Sequence, residues 1–140
     1  MHFHQLPLVI LVAVVASCSQ QDKKPRVPER AVVGTWISDT LTGPDAALRR
    51  YALRIAPGGM AELTSEVVGS TPVTERGTWD GADSLLRVVV RGEATASRAT
   101  SLLLAVRGTA LGLVDFDTTA WGAQGLTLRK QGTQPDSTRR

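Results

Sequence analysis

Short stretches of alternating apolar and polar residues run through most of the chain, and turn residues interrupt them. Residues 50–55 read Arg-Tyr-Ala-Leu-Arg-Ile and are followed by the turn Pro57-Gly58-Gly59. Residues 61–67 and 85–91 repeat the pattern, with turn residues between them. A period of two is typical of half-buried β-strands, and turn signals at intervals of about 8–12 residues indicate a sandwich or a barrel. About eight strands fit into residues 32–130, so the sequence predicts an all-β domain, a small antiparallel barrel.

Two segments need a separate assignment, one as a turn and one as a strand or a helix. The residues Asp80-Gly81-Ala82-Asp83 form a hairpin signal, so we expect a turn there. Residues 94–107 suit a strand at Leu102, Leu104 and Val106, although residues 93–105 also fit a helix.

The N-terminus carries a different pattern. Residues 6–15 are almost wholly apolar, about half of the roughly 20 residues that a membrane-spanning helix needs, and are the size of a signal-peptide core. The only cysteine, Cys18, follows Val14-Val15-Ala16-Ser17. This stretch resembles the bacterial lipobox, which implies cleavage before Cys18 and attachment of palmitate and other acyl chains to it. The alternatives are an ordinary secretory signal with a chance cysteine, or a buried apolar segment.

The residue after the cysteine bears on location. It is Ser19 rather than Asp, which resembles the pattern of lipoproteins that Gram-negative bacteria release to the outer membrane. The expected organisation is a signal peptide (1–17), a lipidated cysteine with a flexible tether (18–31), the barrel (32–130) and a disordered tail (131–140). The barrel is expected to face the periplasm. The expected partners are the membrane, through the lipid, and an envelope protein or a small apolar ligand.

The inventory of reactive side chains argues against catalysis. Both histidines, His2 and His4, lie in the segment expected to be removed, and Cys18 is expected to carry lipid. This excludes Ser-His-Asp and Cys-His catalysis and His/Cys zinc sites in the mature chain. Asp115 and Asp117 could hold a divalent cation, but we interpret them as a polar turn. We therefore expect no enzyme activity, no metal and no cofactor.

The formal net charge is only +3, and the basic residues are scattered rather than gathered on one face. Aromatic residues are few, at 4% of the chain, so stacking platforms for bases are scarce. We expect no nucleic-acid binding. Basic residues in the tether, residues 23–30, could instead contact anionic lipid headgroups.

The residues Gly34-Thr35-Trp36 resemble the Gly-X-Trp signature of lipocalin-type barrels. The resemblance implies that Trp36 closes one end of the barrel and that a basic residue of the last strand, Arg129 or Lys130, stacks on it. Strand alternation favours Lys130, which shares a face with Leu126 and Leu128. A cavity for a small apolar ligand is predicted, lined by Leu53, Ile55, Leu63, Val88 and Leu104. Trp121 lies in a Gly-rich loop, where it could contact a ligand or cover the core.

A broader resemblance covers residues 32–130. The order of residues 34–36, 53–63, 75–80, 111–115 and 126–130 is similar to the N-terminal, lipocalin-like domain of NlpE-type outer-membrane lipoproteins. That family is linked to copper tolerance, surface adhesion and envelope-stress signalling. Its Cys-X-X-Cys pair is missing here from residues 38–46, so a copper or redox role tied to that pair is not implied.

These observations predict a lipid-anchored, non-catalytic barrel that binds a small apolar ligand or an envelope partner. One alternative is a structural or accessory lipoprotein with a filled barrel and no ligand. Another is a role in copper homeostasis or envelope stress, as in NlpE-type proteins.

Overall fold

The computed structural model describes residues 27–92 and 98–132, and within these ranges the chain is built mainly from strands. Cys18, the predicted signal peptide and most of the predicted tether and tail lie outside the described residues. Within these ranges the chain forms two short helices, α1 (Glu29–Val32) and α2 (Thr118–Trp121). The strands are β1 (Gly34–Ser38), β2 (Leu41–Thr42), β3 (Leu48–Ala56), β4 (Met60–Val67), β5 (Val73–Ala82), β6 (Leu85–Arg91), β7 (Thr100–Arg107), β8 (Ala110–Leu113) and β9 (Thr127–Lys130).

The strands form a closed antiparallel barrel. Neighbouring strands pair in the order β3-β4-β5-β6-β7-β8-β9-β1, and β1 also pairs with β3, so the ladder returns on itself. The short strand β2 lies outside this ring and pairs with the start of β3. The all-β class and the small eight-stranded barrel predicted from the sequence are therefore confirmed. Closure removes the unpaired strand edges that an open sheet of this kind would present.

The barrel interior is filled by apolar side chains. Every barrel strand except β5 contributes at least one buried apolar residue, and the alternating pattern directs these residues inward. The largest fully buried side chains include Trp36, Leu53, Leu86, Leu104 and Leu128.

Strand β5 contributes differently to the interior. Its inner position Gly77 lies so close to β6 that a Cβ there would collide with the carbonyl oxygen of Val89. Trp79, two positions further on, is half-buried, and its Nε1 donates a hydrogen bond to the carbonyl oxygen of Ala56 at 2.8 Å. A glycine is needed at position 77 because the two backbones approach so closely.

Three details differ from, or go beyond, the sequence-based expectations. The predicted turn at residues 80–83 is displaced: β5 continues to Ala82, and Asp83 and Ser84 form the turn with φ of 52° and 66°. Two consecutive residues with positive φ suit the twist of a two-residue hairpin better than the predicted turn. Residues 100–107 are a strand, because β7 pairs with both β6 and β8. The predicted tether extended to residue 31, but Val27 is buried in the core, so the folded domain begins within the predicted tether.

The two ends of the barrel are built from different connections. One end, called the sealed end here, carries α1, the 57–59 turn, the Asp83–Ser84 turn and the 108–109 turn. The opposite end, called the mouth here, carries β2 with its flanking loops, the 68–72 loop and the 114–126 segment with α2.

Candidate functional site

At the sealed end, Trp36 joins the first and last strands of the barrel. The ring is fully buried, and Trp36 pairs with Lys130 across the β1–β9 ladder. The Nζ of Lys130 lies 5.4 Å from the ring centroid, within the range of a cation–π contact. The structure thus places Lys130 over Trp36, while Arg129 is exposed and pairs with Ile37 and Ala110.

The N-terminal segment seals this end. Nε1 of Trp36 donates to the carbonyl oxygen of Val32 at 2.8 Å, and Nζ of Lys130 donates to that of Ala31 at 3.3 Å. The backbone N–H of Gly58 donates to Oε1 of Glu29 at 2.8 Å. These hydrogen bonds hold α1 against the barrel, so the chain enters the domain at the sealed end.

A close approach at Gly34 makes this arrangement possible. Gly34 has φ of 139°, which side chains of L-residues rarely adopt, and a Cβ there would lie 3.0 Å from Cε of Lys130. The glycine of the Gly-X-Trp signature therefore makes room for the lysine that stacks on its tryptophan.

The five side chains predicted to line an apolar cavity lie in the packed core. Their exposed fractions are 0% for Leu53, Val88 and Leu104, 1% for Ile55 and 2% for Leu63. A side chain facing a void large enough for a ligand would have measurable accessible surface. These values therefore favour a filled barrel over the predicted ligand cavity.

The inner surface becomes polar towards the mouth. Ser38 is buried, and its Oγ accepts a hydrogen bond from the backbone N–H of Tyr51 at 2.9 Å. The ring of Tyr51 packs against that of Trp121 with centroids 5.3 Å apart and planes tilted by 51°. Both rings are only half-buried, and they pack against the core from the mouth side. Trp121 thus partly covers the core, which was one of its two predicted roles.

A pocket of about 310 Å³ opens where β3, β4 and β5 reach the mouth. Its chemistry is mixed, since it combines one cation, one carboxylate, hydroxyl groups and valine side chains. The lining residues are Arg49, Ser65, Glu66, Val67, Ser70, Thr71 and Val73. None of the five predicted cavity residues belongs to it. We call this space the mouth pocket.

Arg49 is the cation of the mouth pocket. Its Nη2 lies 2.6 Å from Oδ2 of Asp45, in a salt bridge between partly exposed groups. The Nε atom of Arg49 is buried and has no hydrogen-bond partner among the described residues. The hydrogen bond from Arg49, followed by that from the N–H of Ala47, holds the pKa of Asp45 below its ordinary value. Burial raises the pKa of Tyr51, and the nearby Arg49 guanidinium opposes this rise.

Arg49 was not among the functional residues predicted from the sequence. A signal for it was present, because the alternation that directs Tyr51, Leu53 and Ile55 inward also assigns position 49 to the inner face. The partner Asp45 could not be found in this way, since it lies in a loop whose conformation depends on the tertiary structure.

Two other acidic residues, Asp117 and Glu62, have local partners. Asp117 caps α2: its side chain accepts hydrogen bonds from the N–H of Thr119 at 2.8 Å and from the Thr119 hydroxyl. These bonds lower the pKa of Asp117 from its ordinary value. Glu62 pairs with Arg76 at 3.0 Å on the outer surface. Within the part of the chain that the structure describes, no three His, Cys, Asp or Glu side chains converge as a metal site would require.

Two further observations bear on identity. Neither helix within residues 27–92 and 98–132 has the length and apolar character needed to cross a membrane. Comparisons of the chain with protein-family models, with curated proteins and with solved structures found no match.

Proposed function

We propose that this protein is a lipid-anchored envelope protein whose barrel is a non-catalytic binding module that works through its mouth. The observation that carries the proposal is the difference between the two ends. The chain enters at the sealed end, held by Trp36 and Lys130, whereas the pocket with Arg49 lies at the mouth. A tether on one end leaves the other free to meet a partner.

The anchor part of the proposal rests on Cys18. Val27 lies nine positions after it, a stretch that spans at most about 30 Å when extended. A lipid on Cys18 would therefore hold the sealed end near the membrane and direct the mouth away from it. Three acyl chains make such an anchor stable without a membrane-spanning helix.

A labelling experiment tests the anchor. In a Gram-negative host, the full chain is expected to incorporate a palmitate analogue and to sediment with the outer membrane. Cys18→Ser is expected to abolish the label and release the protein, while the control Gln20→Ser leaves both unchanged. Membrane association of Cys18→Ser equal to that of the parent would contradict the anchor.

The packed core argues for recognition at the mouth rather than inside the barrel. Because Leu53, Ile55 and Leu63 have almost no accessible surface, an apolar ligand could enter only by displacing the core. A fluorescent apolar probe is therefore expected to show no saturable binding to the parent protein or to Arg50→Gln, an outer-surface variant. Leu63→Ala, which opens a cavity, is expected to gain probe binding. Tight, saturable binding by the parent would instead support the apolar-ligand function.

An envelope partner is the occupant that this arrangement fits best, and crosslinking in cells tests it. A photoreactive residue at Ser70 in the mouth is expected to give a discrete protein adduct. The same residue at Thr109, on the sealed end, is expected to give none, because that end faces the lipid surface. Adducts at Thr109 but not at Ser70 would reverse the proposed orientation.

A further inference from the structure

We propose that the sealed end docks on anionic phospholipid headgroups through one side of the barrel, formed by β7, β8, β9 and the 108–109 turn. We call this side the basic side. The inference deepens the proposed function, because it rests on the sealed end lying near a membrane and names the lipid chemistry that this end contacts.

The basic side carries positive charge without negative charge. Its three strands and its turn, all of which the structure describes, contain Arg107, Arg129 and Lys130 and no Asp or Glu. Lys130 is occupied by Trp36 and by the carbonyl oxygen of Ala31. Arg107 and Arg129 are exposed, and neither forms a hydrogen bond or an ion pair within residues 27–92 and 98–132. Two guanidinium groups are therefore available to groups from outside the protein.

The strand ladders place these two arginines side by side on the outer surface. Arg107 pairs with Ala110 in the β7–β8 ladder, and Ala110 pairs with Arg129 in the β8–β9 ladder. Paired residues share a face of the sheet, and this face is the outer one because Leu128, next to Arg129, is fully buried. Neighbouring strands lie about 4.8 Å apart, so the two arginine Cα atoms are separated by about 10 Å.

The surface between the arginines is open to headgroups. Ala110 has a small side chain, and an added Cβ at Gly108 or at Gly112 would meet no atom within 4 Å. A guanidinium binds a phosphate through two parallel N–H donors, and its aliphatic stem lets it reach outward from the barrel. Phosphate groups of the lipid can therefore meet both arginines without displacing any part of the protein.

Negative charge at the sealed end lies outside the basic side. Asp80 and Asp83 belong to the neighbouring β5–β6 hairpin, and among the described residues no salt bridge links Asp83 to Arg107. Glu29 accepts a hydrogen bond from Gly58 in the 57–59 turn. In the ring of strands, that turn lies opposite the 108–109 turn. An anionic surface is therefore attracted to one side of the sealed end.

This uneven charge sets a direction of tilt. A lipid anchor alone leaves the barrel free to turn about its tether, whereas attraction to headgroups brings β8 towards the membrane. In the closed ring, β4 lies opposite β8. The mouth pocket is lined from β3, β4 and β5, so it turns away from the membrane, towards a partner.

The position of the chain ends favours a lipid surface over an acidic protein as the occupant. The chain enters the barrel through α1 and leaves it after β9, both at the sealed end. The segments that continue from there each carry a net positive charge: Lys23, Lys24 and Arg26 precede the barrel, and Arg139 and Arg140 follow it. These charges add to the attraction that an anionic membrane exerts on the basic side.

The experiment measures which amides lie near the membrane. The isotope-labelled full chain is attached to nanodiscs in which some lipids carry a paramagnetic headgroup, and the broadening of each amide NMR signal is recorded. Discs of phosphatidylcholine are compared with discs that also contain phosphatidylglycerol. Where Cys18 carries no lipid, its thiol, the only one in the chain, is coupled to a maleimide lipid.

Phosphatidylglycerol is expected to produce a contrast between the two sides of the sealed end. The amides of Thr109 and Ala110 should be broadened at least about twice as strongly as those of Asp83 and Ser84. Discs of phosphatidylcholine alone should affect both sides similarly. Raising the salt to about 1 M, where the Debye length is about 3 Å, should abolish the contrast.

Matched variants separate docking from folding. Each basic residue strengthens contact with an anionic surface about fivefold, so Arg107→Gln combined with Arg129→Gln is expected to remove the contrast. Arg87→Gln is the control, because it makes the same change of charge at an exposed position on β6, opposite Asp80 in the ladder. Unchanged amide signals of Leu104 would show that the variants keep their fold.

Three results would overturn the docking: no contrast in the parent, an equal contrast in the double variant, or an equal loss of contrast in Arg87→Gln. A palmitate label on Cys18 without a contrast would overturn the docking and leave the anchor in place. A contrast measured through the coupled lipid would support the docking even where cells attach no lipid to Cys18. The two proposals therefore fail separately.

Discussion

The Nζ of Lys130 lies 5.4 Å from the centroid of the Trp36 ring, and the two residues face each other across the β1–β9 ladder. This contact joins the first barrel strand to the last. Both residues also donate hydrogen bonds to carbonyl oxygens of α1, those of Val32 and Ala31. Barrel closure and attachment of the N-terminal segment therefore depend on the same pair.

The first prediction concerns this pair. Lys130→Met keeps most of the aliphatic stem but removes the charge above the indole, so we expect the free energy of unfolding to fall by about 0.5–1 kcal/mol. Arg129→Met is the control, because Arg129 is exposed and does not stack on Trp36. Urea denaturation of the two variants measures the difference. Equal stability losses would show that the stack contributes nothing specific.

The second prediction concerns Gly77. A Cβ there would collide with the carbonyl oxygen of Val89, so Gly77→Ala forces β5 and β6 apart and is expected to destabilise the barrel by about 1–3 kcal/mol or more. Gly112→Ala is the matched control, since a Cβ on this strand glycine would meet nothing within 4 Å. Thermal unfolding of both variants provides the measurement. If Gly77→Ala were as stable as Gly112→Ala, the backbones of β5 and β6 would not approach each other closely enough at Gly77 to exclude a Cβ.

The third prediction concerns the polar support of the mouth. The Oγ of buried Ser38 accepts a hydrogen bond from the backbone N–H of Tyr51. Ser38→Ala would leave that N–H without its partner. We expect a loss of about 1–3 kcal/mol in the free energy of unfolding. Ser101→Ala, on the exposed face of β7, is expected to change it little. Hydrogen exchange at the Tyr51 amide should accelerate in Ser38→Ala alone. Unchanged exchange there would contradict the bond.

The fourth prediction concerns pH. Hydrogen bonds from Thr119 lower the pKa of Asp117 below its ordinary value of 3.8 in the folded protein. A group whose pKa is lower when folded stabilises the protein above its unfolded pKa, and this contribution is lost as the pH falls through the folded pKa. The stability difference between the parent and Asp117→Ala should therefore be largest at neutral pH and shrink below pH 3.8.

Denaturation of both proteins from neutral pH to about pH 2 tests this expectation. Thr119→Val removes the hydroxyl donor but keeps the backbone N–H, so it should reduce the pH-dependent part without abolishing it. A difference between parent and Asp117→Ala that does not vary with pH would contradict the role of the charged cap.

The alternation of apolar and polar residues was enough to predict the fold class, because a strand with one buried face requires a period of two. It placed Leu53, Ile55 and Leu63 on one face, and that face is the barrel interior. Strand parity also favoured Lys130 over Arg129 for the contact with Trp36, since alternation is a local property of the backbone.

Other features depended on contacts between distant residues. The Asp83–Ser84 turn lies where the pairing of β5 with β6 places it, rather than at the preceding Asp-Gly signal. The burial of Val27 also follows from the tertiary structure, because the local sequence, with Pro25 and Pro28, predicts an extended tether.

The sequence by itself determined that the chain forms strands and which faces of those strands turn inward, because both follow from the order of neighbouring residues. Only the tertiary structure decided that the interior is packed and that Arg49 meets Asp45 beside the 68–72 loop. The filling of a barrel depends on how side chains from all its strands fit together, and a pocket depends on loops that meet only after the strands have paired. Neither property is encoded in any single stretch of the chain.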